Sequence, residues 1–478
     1  MADTHILIVL FFVFIYAAGI LSTFSALMTA RTSQGAIAWT MSLITFPYVA
    51  VPLYWIFGRS KFHGYVKARR SRDADFQRIR HTVREYETDF VARFEGEDAT
   101  VDVLERLAGM PFLLRNRADL LIDGEATFSS IFEGIDSAED YLLVQFFIIH
   151  DDELGQELKE RLILKSREGV RIYMLFDEIG SHKLGRTYLQ ELREAGIDIR
   201  PFRTTKGWKN RFQLNFRNHR KIVVADGLRA YVGGLNVGNE YMGRSERFGH
   251  WRDTHLKLEG PSVLEVQLSF IEDWHWAAHD IPSLNWRPVA GSGEGVDKRV
   301  LVLPSGPADD HETCNLMFLE SINTARRRIW IVSPYFVPDM DIIHALQLAA
   351  LRGVDVRIML PAKADHMLVF LASFSYLDQL AIPGIRFFRY GPGFLHQKVM
   401  LVDEDLAIVG TANADNRSFR LNFEISIVIF GAEFAKEVEW MLKEDFTNCR
   451  EAGADDYRRA HPGFRFAVRI ARLLSPIL

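Results

Sequence analysis

The stretch Asn218–Asn236 reads NHRKIVVADGLRAYVGGLN. Its apolar run Ile222–Ala225 has the character of a buried strand. Residues two apart on a strand share a face, so His219 and Lys221 point the same way. Burying a histidine and a lysine without partners is unfavourable, so the pattern needs a reason. Asp226 stands at a strand-to-turn junction, and Gly233, Gly234 and Asn236 close the next run.

The chain repeats this pattern. Leu395–Asn413 reads LHQKVMLVDEDLAIVGTAN, and His396, Lys398, Asp403, Gly410, Thr411 and Asn413 each stand 177 positions after His219, Lys221, Asp226, Gly233, Gly234 and Asn236. A single copy would fit an edge strand with a solvated polar face. Two copies at one fixed offset point to two half-sites that meet. Longer segments repeat as well. FEGIDSAEDYLLVQFFI, a helical stretch ending at Gly169, and RIYMLFD match LESINTARRRIWIVSPYFV, a helical stretch ending at Gly353, and DVRIMLP. Each set reads strand, helix, strand, a βαβ unit with a right-handed crossover. Two similar α/β halves are expected, at about residues 116–295 and 296–478.

Two imidazoles, two ammoniums and two amides around one pocket suit a phosphodiester. One imidazole attacks phosphorus, the other protonates the leaving oxygen, and the cations hold the non-bridging oxygens. At the glycines of the two motifs, Gly233, Gly234 and Gly410, a missing side chain suggests backbone N–H groups open to a ligand, with Asn236 and Asn413 donating to an oxyanion. Gly234 and its counterpart Thr411 are grouped with these asparagines as supporting residues. A nucleophilic imidazole also needs an acceptor on its other nitrogen. Glu424, after the second motif, and Asp253, after the first, are the candidates for orienting His396 and His219 respectively. Asp226 and Asp403 read as structural or ion-pairing residues. No metal or other cofactor is required.

The first sixty residues differ in kind. Ile6–Met28 and Thr32–Gly58 carry no charge. Each is long enough to cross a hydrocarbon core of roughly 30 Å at about 1.5 Å per residue, with Pro47 and Pro52 expected to kink the second. A signal peptide or a buried soluble hairpin are the alternatives. Arg59, Lys61, Lys67, Arg69, Arg70, Arg72, Arg78, Arg80 and Arg84 come after the spans, against Asp73 and Asp75. This bias places the remainder of the chain on the cytoplasmic side, near anionic head groups. Residues 1–58 are thus read as two transmembrane helices and 59–115 as a basic helical linker. Arg203, Lys206, Lys209, Arg211 and Arg217, mixed with Trp208 and Phe212, suit an anionic membrane interface, with an ordinary surface loop as the alternative. At the C-terminus, Phe466, Ile470, Leu473, Leu474 and Ile477 recur at helical spacing, with Arg465, Arg469 and Arg472 on another face. Such a tail is either interfacial or docked on the protein's own core.

Formal net charge is −5 over 478 residues, which does not recommend a polyanion such as DNA. Two cysteines, Cys314 and Cys449, show no metal spacing.

The repeated motif resembles the HKD motifs of the phospholipase D superfamily. HRKIVVADGLRAYVGGLNVGNEY, WRDTH, SPYFVPD, HQKVMLVD and GTANADNRSFRLNFE, with the paired apolar N-terminus, are similar to bacterial cardiolipin synthases over nearly the whole chain. Thr411 stands where many relatives carry Ser. The resemblance implies two pseudo-twofold-related phospholipase D-type α/β/α sandwich domains behind an N-terminal transmembrane hairpin. It also implies a phosphatidyltransferase of the bacterial cytoplasmic (inner) membrane that condenses two phosphatidylglycerols into cardiolipin and glycerol. A phosphatidyl-histidine intermediate is implied, with His219 as nucleophile and His396 as acid/base, although the symmetric motif allows the reverse. The resemblance groups His219, Lys221, Asp226, His396, Lys398 and Asp403 as the catalytic set. Partners expected are phosphatidylglycerol and an anionic lipid bilayer, with no nucleic acid; a homo-oligomer stays open. A hydrolytic phospholipase D, a serine-accepting transferase, a nuclease and a non-enzymatic scaffold are the rivals.

Overall fold

The computed structural model describes residues 2–58, 81, 83, 88–94, 99–203 and 215–475. The chain divides into two compact units, residues 1–70 with 203–216 and residues 71–202 with 217–478.

In the first unit, one helix runs over Ala2–Thr29, and its segment Thr4–Thr29 is long and apolar enough to cross a membrane. The second apolar stretch departs from expectation. It forms two shorter helices, Ser33–Thr45 and Pro47–Phe57, with Phe46 non-helical at φ −132° and ψ 57° between them. Proline lacks the N–H a helix needs and disfavours helical backbone in the residue before it, so the break falls at Phe46. Pro52 lies inside the last helix. These helices return along the first. Tyr54 OH donates to Ser25 Oγ at 3.0 Å and Trp55 Nε1–H to Ser22 Oγ at 3.2 Å. The basic residues Arg59, Lys61, Lys67, Arg69, Arg70, Arg72, Arg78, Arg80 and Arg84, and the residues Lys206, Trp208, Lys209, Arg211 and Phe212, lie outside the described residues.

The second unit contains the repeat. Its first half supplies β1 (Leu113–Ile122), β2 (Tyr141–Phe146), β3 (Arg171–Asp177), β4 (Asp198–Phe202), β5 (Arg217–Asn218), β6 (Ile222–Ala225), β7 (Arg229–Gly233), β8 (His250–Arg252) and β9 (Thr254–Glu259). The second half supplies β10 (Lys298–Ser305), β11 (Arg328–Val332), β12 (Phe336–Val337), β13 (Asp355–Pro361), β14 (Ile385–Tyr390), β15 (Gly393–Leu395), β16 (Val399–Val402), β17 (Leu406–Gly410), β18 (Ala414–Asp415), β19 (Asn422–Phe430) and β20 (Cys449–Ala452).

The long strands join one sheet in the order β4-β3-β2-β6-β7-β9-β1, then β10-β19-β17-β16-β11-β13-β14-β20. The second series mirrors the first across the antiparallel β1–β10 contact, which is where a pseudo-twofold axis would pass. The βαβ units are present: β2 pairs parallel to β3 around the Glu153–Arg167 helix, and β11 to β13 around Met340–Leu351. Gly169 and Gly353, at φ +98° and +88°, end these helices in the left-handed region that favours glycine.

The repeated strands are buried on both faces, as their near-continuous apolar runs require. One apolar cluster spans both halves, packing Val263, Val266, Phe270 and Trp274 of the Ser262–Ala278 helix and Phe434, Val438 and Met441 of the Ala432–Thr447 helix. The described part of the expected linker 59–115 includes the Ala99–Ala108 helix, whose Val101 and Leu104 join the second half's core, and the start of β1.

Candidate active site

His219 and His396 each lie just ahead of a motif strand, β6 beginning at Ile222 and β16 at Val399, and are buried. The side chain between His and Lys takes the opposite face and anchors each strand to a helix. Arg220 pairs with Asp273 at 3.0 Å on the Ser262–Ala278 helix. Gln397 Nε2–H donates to Asp445 at 2.8 Å on the Ala432–Thr447 helix. Charge and alternation thus fix which way the histidines face.

The orienting carboxylates are exchanged relative to expectation. His219 Nδ1 lies 2.9 Å from Glu424 of the second half, and His396 Nδ1 lies 2.7 Å from Asp253 of the first. Two short strand pairings cause the exchange. β5 runs parallel to the start of β19, Arg217 opposite Asn422 and Asn218 opposite Phe423, and His219 N–H donates to Phe423 O at 2.9 Å. β15 runs parallel to β8, Gly393 opposite His250 and Leu395 opposite Arg252, and His396 N–H donates to Arg252 O at 2.8 Å. Each histidine is therefore stitched to the strand that leads into the other half's acid. This brings both motifs to one buried place, where Lys398 acts electrostatically on His219, and Lys221 and His219 act on His396.

The two half-sites are not equivalent. Glu424 is fully buried, yet it receives Thr411 Oγ1–H at 2.6 Å, Ser418 Oγ–H at 2.9 Å and Asn422 Nδ2–H at 3.1 Å besides His219. Burial by itself would raise its carboxyl, but His219, Lys221 and the Thr411 hydroxyl together hold it below the usual range. Asp253 receives the Thr254 N–H at 2.8 Å and His396. Burial pushes it up to about 6 against the pull of Lys398. Burial lowers His219 to about 4 and His396 well below its ordinary value, so both resting imidazoles are neutral near pH 7. Nδ1 is engaged in each ring, which leaves Nε2 for a substrate.

Lys221 Nζ donates to His219 O at 2.5 Å and lies over the Phe147 ring. Lys398 Nζ donates to His396 O and lies 2.9 Å from His396 Nδ1. Burial lowers Lys221 to about 7 and Lys398 to about 8. An anion arriving between them would restore both charges. Aromatic rings wall the histidines, Phe147 at 5.0 Å from His219 and Trp251 at 5.1 Å from His396.

The glycine positions need a second correction. The Gly234 N–H donates to Thr254 O at 3.0 Å and the Gly410 N–H to Lys398 O at 3.2 Å, so neither is open to a ligand. Gly234 is glycine because a Cβ there would lie 2.0 Å from Asp253 Oδ1. The carboxylate occupies the space of the missing side chain. Asn236 Oδ1 accepts the Ile148 N–H at 3.0 Å, while Asn413 Oδ1 is buried without a hydrogen bond among the described residues.

Asp226 and Asp403 stand apart from the reacting groups, beyond the far ends of β6 and β16, at φ +55° and +48°. Asp226 accepts backbone N–H groups of Glu139, Asp140 and Tyr141; Asp403 accepts those of Arg326, Arg327 and Arg328. They cap the loops entering β2 and β11. Their carboxylates are thus engaged by backbone N–H groups, which fits the structural reading of these two residues. Sequence reasoning missed Ser418, Asn422, Phe147 and Trp251. Ser418 and Asn422 flank Glu424 in NRSFRLNFE, so a search for donors near the orienting acid would have found them.

Residues 131–250 and 318–446 match the family model described as cardiolipin synthase, PLD-like domain. A cardiolipin synthase A of Pseudomonas putida (strain GB-1) is 48% identical over 467 residues, covering 97% of each chain. One of Pseudomonas fluorescens (strain SBW25) is 49% identical, covering 96% of each. The crystal structure of a phosphatidylserine synthase from Haemophilus influenzae Rd KW20 superposes on 80% of this chain and all of its own, with a TM-score of 0.57 and 17% identity, a likeness of fold. With both halves of the repeat matched and nearly the full length shared with these relatives, the chain belongs to the cardiolipin synthase family of phospholipase D-like proteins.

Proposed function

We propose that the chain is a cardiolipin synthase that transfers the phosphatidyl group of one phosphatidylglycerol to another. The observation that carries this reading is the pair of exchanged imidazole–carboxylate contacts in one buried pocket with two lysines. Lys221 and Lys398 hold the non-bridging oxygens. His396 takes up a proton on Nε2 when the phosphate anion enters, because a nearby negative charge favours the imidazolium. His219 Nε2 then attacks phosphorus, the P–O bond to glycerol breaks, and His396 delivers that proton to the departing oxygen and is left neutral. Glu424 stabilises the positive charge that develops on His219 as the P–N bond forms. The second phosphatidylglycerol then gives its hydroxyl proton to His396, its oxygen attacks phosphorus, the P–N bond breaks, and cardiolipin leaves. The donor set around Glu424 favours His219 as nucleophile, because a carboxylate kept ionised is the better partner for a nascent imidazolium. Asp253, near its titration point at about 6, suits the ring that must gain and lose a proton.

The apolar N-terminus supports membrane attachment. We read both apolar segments as embedded, with the catalytic unit on the cytoplasmic side, from the basic run after them. The test is direct. Purified full-length protein given phosphatidylglycerol vesicles should release glycerol and cardiolipin in equal amounts. Phosphatidic acid as the only product would replace this reading with a hydrolase.

A further inference from the structure

The Pro462–Leu473 helix has three faces. Its inner stripe is docked: Phe464 meets Phe374 edge-on at 5.2 Å, and Val468 and Ala471 are fully buried. At about 100° per residue, the stripe Phe466, Ile470 and Leu473 points the opposite way. These side chains are 69%, 46% and 75% exposed. Arg465, Arg469 and Arg472 lie between the two stripes, Arg469 Nε–H donating to Tyr457 OH at 2.9 Å. Docking on the core therefore does not use up the helix's apolar surface.

We propose that this outward stripe inserts into an anionic phospholipid monolayer, with the arginines at the level of the phosphates. A bilayer fits because apolar side chains flanked by arginines complement an apolar layer bordered by negative head groups. The same chain carries a helix long and apolar enough to cross a membrane. The contact also leads toward the active site. The helix packs on Met367–Gln379, whose first turn exposes Met367 and Leu368. Asp365, just before that turn, accepts the Tyr335 hydroxyl, and its charge acts on His396. The stripe would thus seat the His396 side of the pocket at the lipid surface, so the inference rests on the phospholipid reading above.

Full-length protein with Cys449→Ser and Phe466→Cys, labelled with bimane, is placed in phosphatidylglycerol/phosphatidylcholine vesicles containing acyl-chain nitroxide lipid. Quenching should be at least threefold stronger than for a label at Glu160→Cys, on the exposed side of the Glu153–Arg167 helix. Equal quenching overturns the proposal, and so does disulfide cross-linking of Phe466→Cys between two copies, which would make the stripe a self-association surface. A second variant, Phe466→Glu/Ile470→Glu/Leu473→Glu, should lose at least tenfold in cardiolipin formation on long-chain vesicles. On dispersed dihexanoyl phosphatidylglycerol it should keep the unmodified protein's rate. Equal activity on vesicles overturns the proposal. Quenching needs no turnover, so a failed phosphatidyl-transfer reading would show separately, as absence of cardiolipin with the unmodified protein.

Discussion

The two half-sites share a plan and differ in how each acid is housed. In one, Thr411 fills the space before Glu424 and gives it a hydroxyl; in the other, Gly234 is empty so that Asp253 can take that space. A longer acid with a hydroxyl neighbour and a shorter acid with no neighbour both reach a histidine Nδ1, at 2.9 and 2.7 Å. The surroundings then separate their chemistry. Four donors keep Glu424 charged, while Asp253, with fewer, rests near its titration point. On a repeated frame, a hydroxyl-bearing residue in one half and a glycine in the other leave the two acids differently held.

The largest effect should come from breaking the nucleophile. His219→Ala is expected to lower kcat by about 10⁵-fold or more in a cardiolipin-formation assay, and His396→Ala by about 10²–10⁴-fold, the usual worth of a general acid. Equal losses would erase the proposed division of labour. Next come the acids. Asp253→Asn should cost about 10²–10⁴-fold and change the pH profile. For the unmodified protein, kcat/KM should rise as pH passes about 6, where Asp253 ionises, and fall between about 7 and 8, where Lys221 and then Lys398 lose their protons. Asp253 has a raised pKa, so its charge is lost on the acid side; the lysines have lowered ones, so their charges are lost on the alkaline side. The amide should remove the acid limb and keep the alkaline one.

Much of this arrangement is legible in the chain. The fixed offset gives the duplicated frame, and the period-two spacing of His219 and Lys221 gives a shared face. Asp226 and Asp403 read as structural from their strand-end positions, and their backbone contacts agree. What stays hidden depends on contacts between residues 143 and 205 positions apart. Pairing of β5 with β19 and of β15 with β8 leaves no local signature, so assigning each histidine the acid in its own half is the natural error. The glycine at 234 misleads for a related reason: its neighbour is a carboxylate from another strand, whereas local sequence shows only an absent side chain. The break at Phe46 is closer to legible, because the restriction imposed by Pro47 acts on the residue before it.

Smaller changes sharpen the comparison. Gly234→Ala forces a methyl against Asp253 and should lower activity by about 10²-fold, with a loss of about 1–3 kcal/mol in chemical denaturation. Thr411→Val, which keeps shape and removes the hydroxyl, should cost about tenfold in kcat, near the worth of one hydrogen bond to a charged group. Asp226→Asn and Asp403→Asn should leave kcat within about twofold while lowering stability by about 1–3 kcal/mol, because each weakens three backbone contacts.

The most direct test is acid-free rapid quenching of the protein with phosphatidylglycerol, followed by proteolysis and mass spectrometry. The account predicts a phosphatidyl group on the peptide bearing His219, absent in His219→Ala and longer-lived in His396→Ala. An adduct on His396, or turnover to cardiolipin with no adduct on either histidine, would contradict it.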